Sequence, residues 1–203
     1  MTSGRYLRAA RLALLLGGAA LAACGHSPAT QFLALQPLPP SASRVAPPAS
    51  DPICISAVRF PRQFDRLEVV TDLALAEIAV DGVHRWSAPI GDLARAALTE
   101  DLLQRSPGLT VLPDGAAETP DARYVVVDIL SLRHVDGAFA MTATLFASPV
   151  DPKAAALIRT ISFSTPSPGA DAGAEAAALS RLLGDVAGEL ASDLALKGLL
   201  TGE

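Results

Sequence analysis

The residue best placed to do chemistry in this sequence is Cys24, which follows Leu21, Ala22 and Ala23 at the end of a short apolar run. Arg5, Arg8 and Arg11 precede the stretch Leu12 to Leu21, so a positive segment, an apolar segment and two small residues stand in the order a secretory signal requires. The run is shorter than the roughly 20 apolar residues that span a bilayer as a helix. A thiol directly behind such a signal can be alkylated by a diacylglyceryl group, and the α-amino group freed by cleavage can then be acylated. Two or more chains hold a protein stably at a membrane, at about 0.8 kcal/mol per buried methylene, whereas one chain holds it marginally. The expectation is therefore a lipoprotein signal over residues 1–23 and lipidation at Cys24, with a diacylglycerol and an N-linked acyl chain such as palmitate, and no other cofactor. Gly25 rather than Asp follows the cysteine, which favours the outer membrane, with the body facing the periplasm, over retention at the inner membrane.

The rest of the chain is poor in catalytic parts. It has three histidines: His26 beside the lipidation site, His84, and His134 near an expected strand end. His134 and Asp136 could form an acid/base pair at a hairpin, but no serine or cysteine signature accompanies them, and a solvated turn is the simpler reading. Gly-x-Ser-x-Gly, His-Glu-x-x-His and the phosphate-binding Gly-x-x-x-x-Gly-Lys-Ser/Thr pattern are absent, and no Cys or His spacing suits a metal. With Cys24 lipidated, Cys54 is the remaining thiol; its setting between Ile53 and Ile55 reads as a buried small hydrophobe in a strand. The expectation is a noncatalytic protein.

Composition narrows the partners. Beyond residue 23 the chain carries 13 Lys+Arg against 21 Asp+Glu, a formal charge of −8, so neither a basic stripe for nucleic acid nor a polybasic patch for anionic lipid is present. About 180 residues, rich in Ala, Leu, Val and Ile, suffice for one domain with a real core.

Three regions follow. Residues 1–23 are the signal; residues 24–52 carry the lipidated cysteine and a Pro-rich tether interrupted at 32–35 by a short strand candidate, Phe32 to Leu35; residues 53–203 form the domain. Within it, Ile53 to Phe60 and Leu67 to Thr71 read as strands, and Leu75 to Val80 with Val83 to Trp86 as a hairpin about Asp81-Gly82. A helix capped by Ser87 is expected to carry Ile90, Leu93, Ala97, Leu98 and Leu102 on one face. Leu109 to Leu112 is a short strand, Gly115 to Pro120 a loop, and Tyr124 to Leu132, Phe139 to Phe146 and Leu157 to Ser164 further strands. A helix from about Gly173 to Leu200 buries Leu179, Leu182, Val186, Leu190 and Leu194, with Arg181, Asp185, Glu189 and Asp193 toward water. The fold class expected is α/β in the α+β sense: one domain, a mostly antiparallel sheet, and two main helices on one face.

Three motifs resemble the PqiC-like family of ABC-type transport auxiliary lipoproteins. Phe32 to Leu35 is similar to the family's short aromatic-leucine strand. Pro61 to Arg66, followed by Val69, Val70 and Thr71, is similar to its proline, aromatic, Asp-Arg turn and the strand beyond. Arg85, Trp86, Ser87, Ala88, Pro89 and Ile90 resemble its Arg-Trp-Ala-Glu-Pro-Leu signature, with Ser87 and Ala88 in place of the usual Ala-Glu pair. The resemblance implies a noncatalytic subunit of an MCE-type phospholipid transport system, docked onto the periplasmic conduit formed by an MCE-domain protein and its membrane components; a homo-oligomeric ring is an arrangement it allows. Arg85, Trp86, Asp65 and Arg66 are the candidate partner contacts, with Trp86 favoured as a structural indole at a strand-to-helix junction and Arg85 as the outward residue. The alternative function is an outer-membrane adaptor that activates a cell-wall synthase or an envelope assembly machine.

Overall fold

The computed structural model describes residues 28–39, 52–73, 77–113, 122–148, 156–166 and 171–196. Among the described residues, eight strands fall into two sheets, and two helices accompany them.

The larger sheet grows from one long hairpin. β6 (Arg123–Val135) and β7 (Ala138–Ala147) pair antiparallel from Val135↔Ala138 outward. Expected as shorter runs with a loop over 133–138, the strands instead continue to a two-residue turn, because Asp136 (φ 50°) and Gly137 (φ 76°) both occupy the left-handed region that a type I′ turn demands. Val125, Val127 and Ile129 point into the core; a bulge between Ile129 and Ser131 then shifts the alternation by one residue, so Leu132 continues the buried row. β8 (Leu157–Pro166) adds antiparallel to β7, while β2 (Ile53–Arg59) runs parallel to β6 and to the short β5 (Val111–Leu112). The order is β5-β2-β6-β7-β8.

The smaller sheet has the order β1-β4-β3, with β1 (Gln31–Leu33) parallel to β4 (Glu77–Trp86) and β3 (Glu68–Leu73) antiparallel to it. The short strand expected at 32–35 lies instead over Gln31–Leu33, where it is docked on β4. The hairpin expected about Asp81-Gly82 is corrected: Glu77 to Trp86 is one strand, and Asp81 lies at an irregularity where the pairing jumps from Val70↔Val80 to Glu68↔Arg85. Its carboxylate accepts the backbone N–H groups of Val83 (2.7 Å) and His84 (2.8 Å), which satisfies amides the irregular ladder leaves unpaired. Residues 75 and 76, with the loop at 115–120, lie outside the described residues.

The helices α1 (Ile90–Arg105) and α2 (Ala172–Leu196) pack against each other and on one face of the larger sheet. Pro89, not Ser87, is the N-cap of α1; the Ser87 N–H instead bonds the Leu33 carbonyl (2.8 Å), which ties β1 to the strand-to-helix junction. Ile90, Ala97, Leu98 and Leu102 are buried as their spacing predicts. In α2, Leu179, Leu182, Val186 and Leu190 are buried, each fully buried aliphatic stabilising the fold by about 1.5–3 kcal/mol. Asp193 is a correction: expected in water, it is buried and held by Arg159 of β8 through Nη1 at 2.8 and 2.9 Å. Asp171 begins α2, its carboxylate accepting the Ala174 N–H at 3.1 Å.

Residues 34–39 run as a strap along the helices. The Gln36 N–H bonds Ser180 Oγ (3.1 Å), the Leu38 N–H bonds Asp101 Oδ1 (2.6 Å), and the Leu38 side chain occupies the space that a Cβ at Gly184 would fill. Part of the expected tether is therefore bound to the body.

Candidate interaction surface

The outer face of the small sheet collects the exposed members of the sequence-predicted site. Phe32, Arg85 and Glu68 form one cross-strand row, with Phe32 68% exposed. Arg66 Nε lies 3.0 Å and Arg85 Nη2 3.9 Å from the Glu68 carboxylate. A hydrogen bond from its own backbone and one from the Arg66 guanidinium hold the Glu68 carboxyl below its ordinary range. Leu67 is exposed beside them, and the far end of the ribbon exposes Ile78 and Val80. Asp65 is exposed in the turn, where the Phe64 N–H bonds the Pro61 carbonyl and the Arg66 N–H bonds the Phe64 carbonyl. An exposed aromatic and an exposed leucine beside two guanidinium groups are a composition suited to a protein partner.

Trp86 is separated from this surface. Only 5% exposed, it lies behind the sheet and lines a narrow apolar cleft with Phe64, Ile90, Leu132 and Phe139. Its backbone N–H bonds the Leu67 carbonyl at 2.7 Å. Strand alternation accounts for the split, since neighbours in a strand face opposite sides: Arg85 outward, Trp86 inward.

Glu175, in the first turn of α2, closes the same cleft. His134 Nε2 lies 2.9 Å from its Oε1, and the imidazole packs against Phe139 with centroids 4.9 Å apart. Burial raises the Glu175 pKa, against the opposing pull of His134, and Asp171 and Asp81 add to the rise. The considered pairing of His134 with Asp136 is thus replaced by a pairing with Glu175: the tight turn holds Asp136 in a left-handed conformation while His134 reaches inward from the strand. His84 Nδ1 lies 2.8 Å from Asp81 Oδ2; hydrogen bonds from the His84 and Val83 amides, then that imidazole, lower the Asp81 pKa to about 2. Both histidines act as structural clasps.

Cys54 is buried, as its apolar neighbours predict, with Sγ 4.0 Å from the Pro113 carbonyl oxygen. Cys24 and His26 lie outside the described residues. Among the described residues there is no group of three or more metal-ligating side chains, and no helix is long and apolar enough to cross a membrane. Sequence reasoning placed Phe32 in a strand but did not assign it to the surface, and it missed Glu68, Leu67, Ile78 and Val80. The alternation of Ile78 and Val80 was a readable signal, but reading Asp81-Gly82 as a turn removed its meaning.

The sequence profile of ABC-type transport auxiliary lipoprotein components matches residues 33–191. Among solved structures, the chain is similar to an uncharacterized protein (TM-score 0.63, 14% identity, 82% of this chain and 99% of that one covered). It is likewise similar to protein XCC0632 from Xanthomonas campestris, of the DUF330 family (TM-score 0.59, 16% identity, 85% and 95% covered). At these identities the likeness is one of fold. No curated protein sequence matches the chain significantly.

Proposed function

The chain belongs to the family of ABC-type transport auxiliary lipoprotein components, and from that premise we propose that it is a noncatalytic subunit of an MCE-type phospholipid transport system. A lipoprotein family implies a membrane-anchored place in the cell envelope. In the proposed arrangement, acyl chains on Cys24 fix the protein to the inner leaflet of the outer membrane, and the body docks onto the end of the periplasmic conduit. Its contribution is positional: the anchor sets the height of the body, and the body aligns the conduit with the membrane.

The observation that carries the docking surface is the exposed row Phe32, Arg85 and Glu68, flanked by Arg66 and Leu67, in a body whose other motif residue, Trp86, is buried. Aromatic and Arg side chains are enriched at protein interfaces, and Arg among the residues that dominate their binding energy. A strand-to-helix junction tied by Trp86 and the Ser87 amide keeps that row rigid, which reduces the ordering cost of association.

The test is a mild-detergent pulldown of the tagged chain from envelopes, with mass spectrometry of the partners, comparing wild type, Arg85→Ala and Cys24→Ala. Recovery of an MCE-domain protein with wild type, and its loss with Arg85→Ala at unchanged abundance, supports the reading. Recovery of cell-wall synthases without any MCE-domain protein overturns it in favour of an adaptor. Cys24→Ala is expected to abolish palmitate labelling and release the body from the membrane fraction.

A further inference from the structure

The two edges of the larger sheet end differently. β5 is two residues long, and α1 begins so close to β2 that a Cβ at Gly91 would lie 2.7 Å from the Val58 carbonyl oxygen. That edge is blunt. The opposite edge, β8, runs ten residues in unbroken register with β7 and, among the described residues, has no strand on its far side.

The peptide directions of β7 determine what β8 offers. Ser148, just past β7, donates its N–H to the Tyr124 carbonyl, and Val135↔Ala138 closes the two-residue turn, so even-numbered residues of β7 turn their peptide groups toward β6 and odd-numbered ones toward β8. In β8 the odd-numbered residues therefore bond β7, leaving the N–H and C=O groups of Ile158, Thr160, Ser162 and Ser164 at the open edge. Natural edge strands of this length are usually protected by an outward charge, an interior proline or a bulge. β8 has none of these: its proline is the last residue, and its one charge, Arg159, turns into the fold toward Asp193 and Glu189, with Nη2 3.0 Å from the latter.

We propose that β8 pairs antiparallel with the β8 of a second copy of this chain, about a two-fold axis at Ile161, joining two five-stranded sheets into one of ten strands. In this register Thr160 of one chain faces Ser162 of the other, Ile158 faces Ser164, and the free peptide groups of all four find partners. The hydroxyl contacts Thr142–Ser162 (3.1 Å) and Thr144–Thr160 (3.2 Å) continue across the axis as Thr160–Ser162 pairs. Arg159 faces Phe163 rather than its own symmetry mate, so the single cation meets no like charge. Ile158, 67% exposed in one chain, gains cover from the added strand. This self-complementarity is what selects a second copy over another extended peptide. The contact is isologous and closes after two chains, which distinguishes it from a ring.

Disulfide trapping of the full-length chain in cells tests the proposal. Thr160→Cys/Ser162→Cys sets each introduced thiol opposite one of the second chain, and a reductant-sensitive dimer at least tenfold above that of Ala177→Cys, an exposed site on α2, is expected. Adding Ser164→Pro deletes one edge N–H without touching the β7 ladder and is expected to lower the dimer yield at least threefold. A double-cysteine protein that is folded by circular dichroism yet stays monomeric overturns the proposal. So does a ladder of trimers and higher species, which requires a head-to-tail contact, or a covalent product with a different protein.

Discussion

Replacing His134 by Ala is expected to destabilise the fold more than replacing its partner Glu175 by Ala, because the two side chains are unequally buried: 26% exposed for His134 and 7% for Glu175. Without the imidazole, the Glu175 carboxyl loses its partner at 2.9 Å and remains in an apolar cleft between Phe64, Trp86, Leu132 and Phe139. An unsatisfied buried acceptor costs about 1–3 kcal/mol, and loss of the ring contact with Phe139 adds about 0.5–1 kcal/mol. His134→Ala should therefore cost about 2–3 kcal/mol. In Glu175→Ala the imidazole is left near water and can be solvated, so about 1 kcal/mol is expected, the net worth of a hydrogen bond. The double variant should be less destabilised than the sum of the singles, since removing both groups leaves nothing buried and unpaired. Urea denaturation at neutral pH, followed by circular dichroism, measures all three. Equal costs for the two single variants would refute the argument that a stranded carboxyl, and not the lost contact itself, sets the penalty.

The same carboxyl has a pH signature. Unfolded, it titrates near its ordinary 4.5, whereas in the fold burial holds its proton to higher pH; the native state thus binds more protons over that window, and stability falls as pH rises through it. Glu175→Gln, which does not titrate, should gain stability relative to wild type as pH is raised from 4.5, and a constant difference from pH 4 to 8 would refute this. Trp86→Ala should cost about 3–5 kcal/mol as a large buried deletion, while exposed Arg85→Ala should stay within about 0.5 kcal/mol, both read from urea midpoints. Asp101→Leu, which removes the acceptor of the Leu38 N–H, and Gly184→Val, which fills the seat of Leu38, should each speed proteolysis within residues 28–52 severalfold with the body intact. Unchanged cleavage rates would show that the strap is held elsewhere.

The sequence by itself determined those features that depend on local spacing. The α+β class, both helices, a short strand at Phe32, the burial of Cys54 and the split between an outward Arg85 and an inward Trp86 follow from periods of two and 3.6 residues and from apolar runs that only a core can accommodate. The family resemblance was legible in Arg85 to Ile90 and in Pro61 to Arg66 for the same reason: they are short segments whose order along the chain is their content.

What only the tertiary structure decided are matters in which distant segments compete for one group. Asp81-Gly82 carries a turn signal, but β3 supplies a partner ladder on both sides of it, and the carboxylate takes up two backbone amides in place of a hairpin. Ser87 could cap α1, but pairing with β1 runs on to its amide and keeps it in the extended ladder, so the helix begins only at Ile90, with Pro89 as its N-cap. Asp193 looks solvent-facing on a helical wheel until Arg159 arrives from β8, and His134 finds Glu175 rather than Asp136 because the partner lies 41 residues away in sequence. The division of the strands into two sheets, and the long open edge of β8, likewise arise from which strands meet, a choice among long-range pairings that local periodicity does not encode.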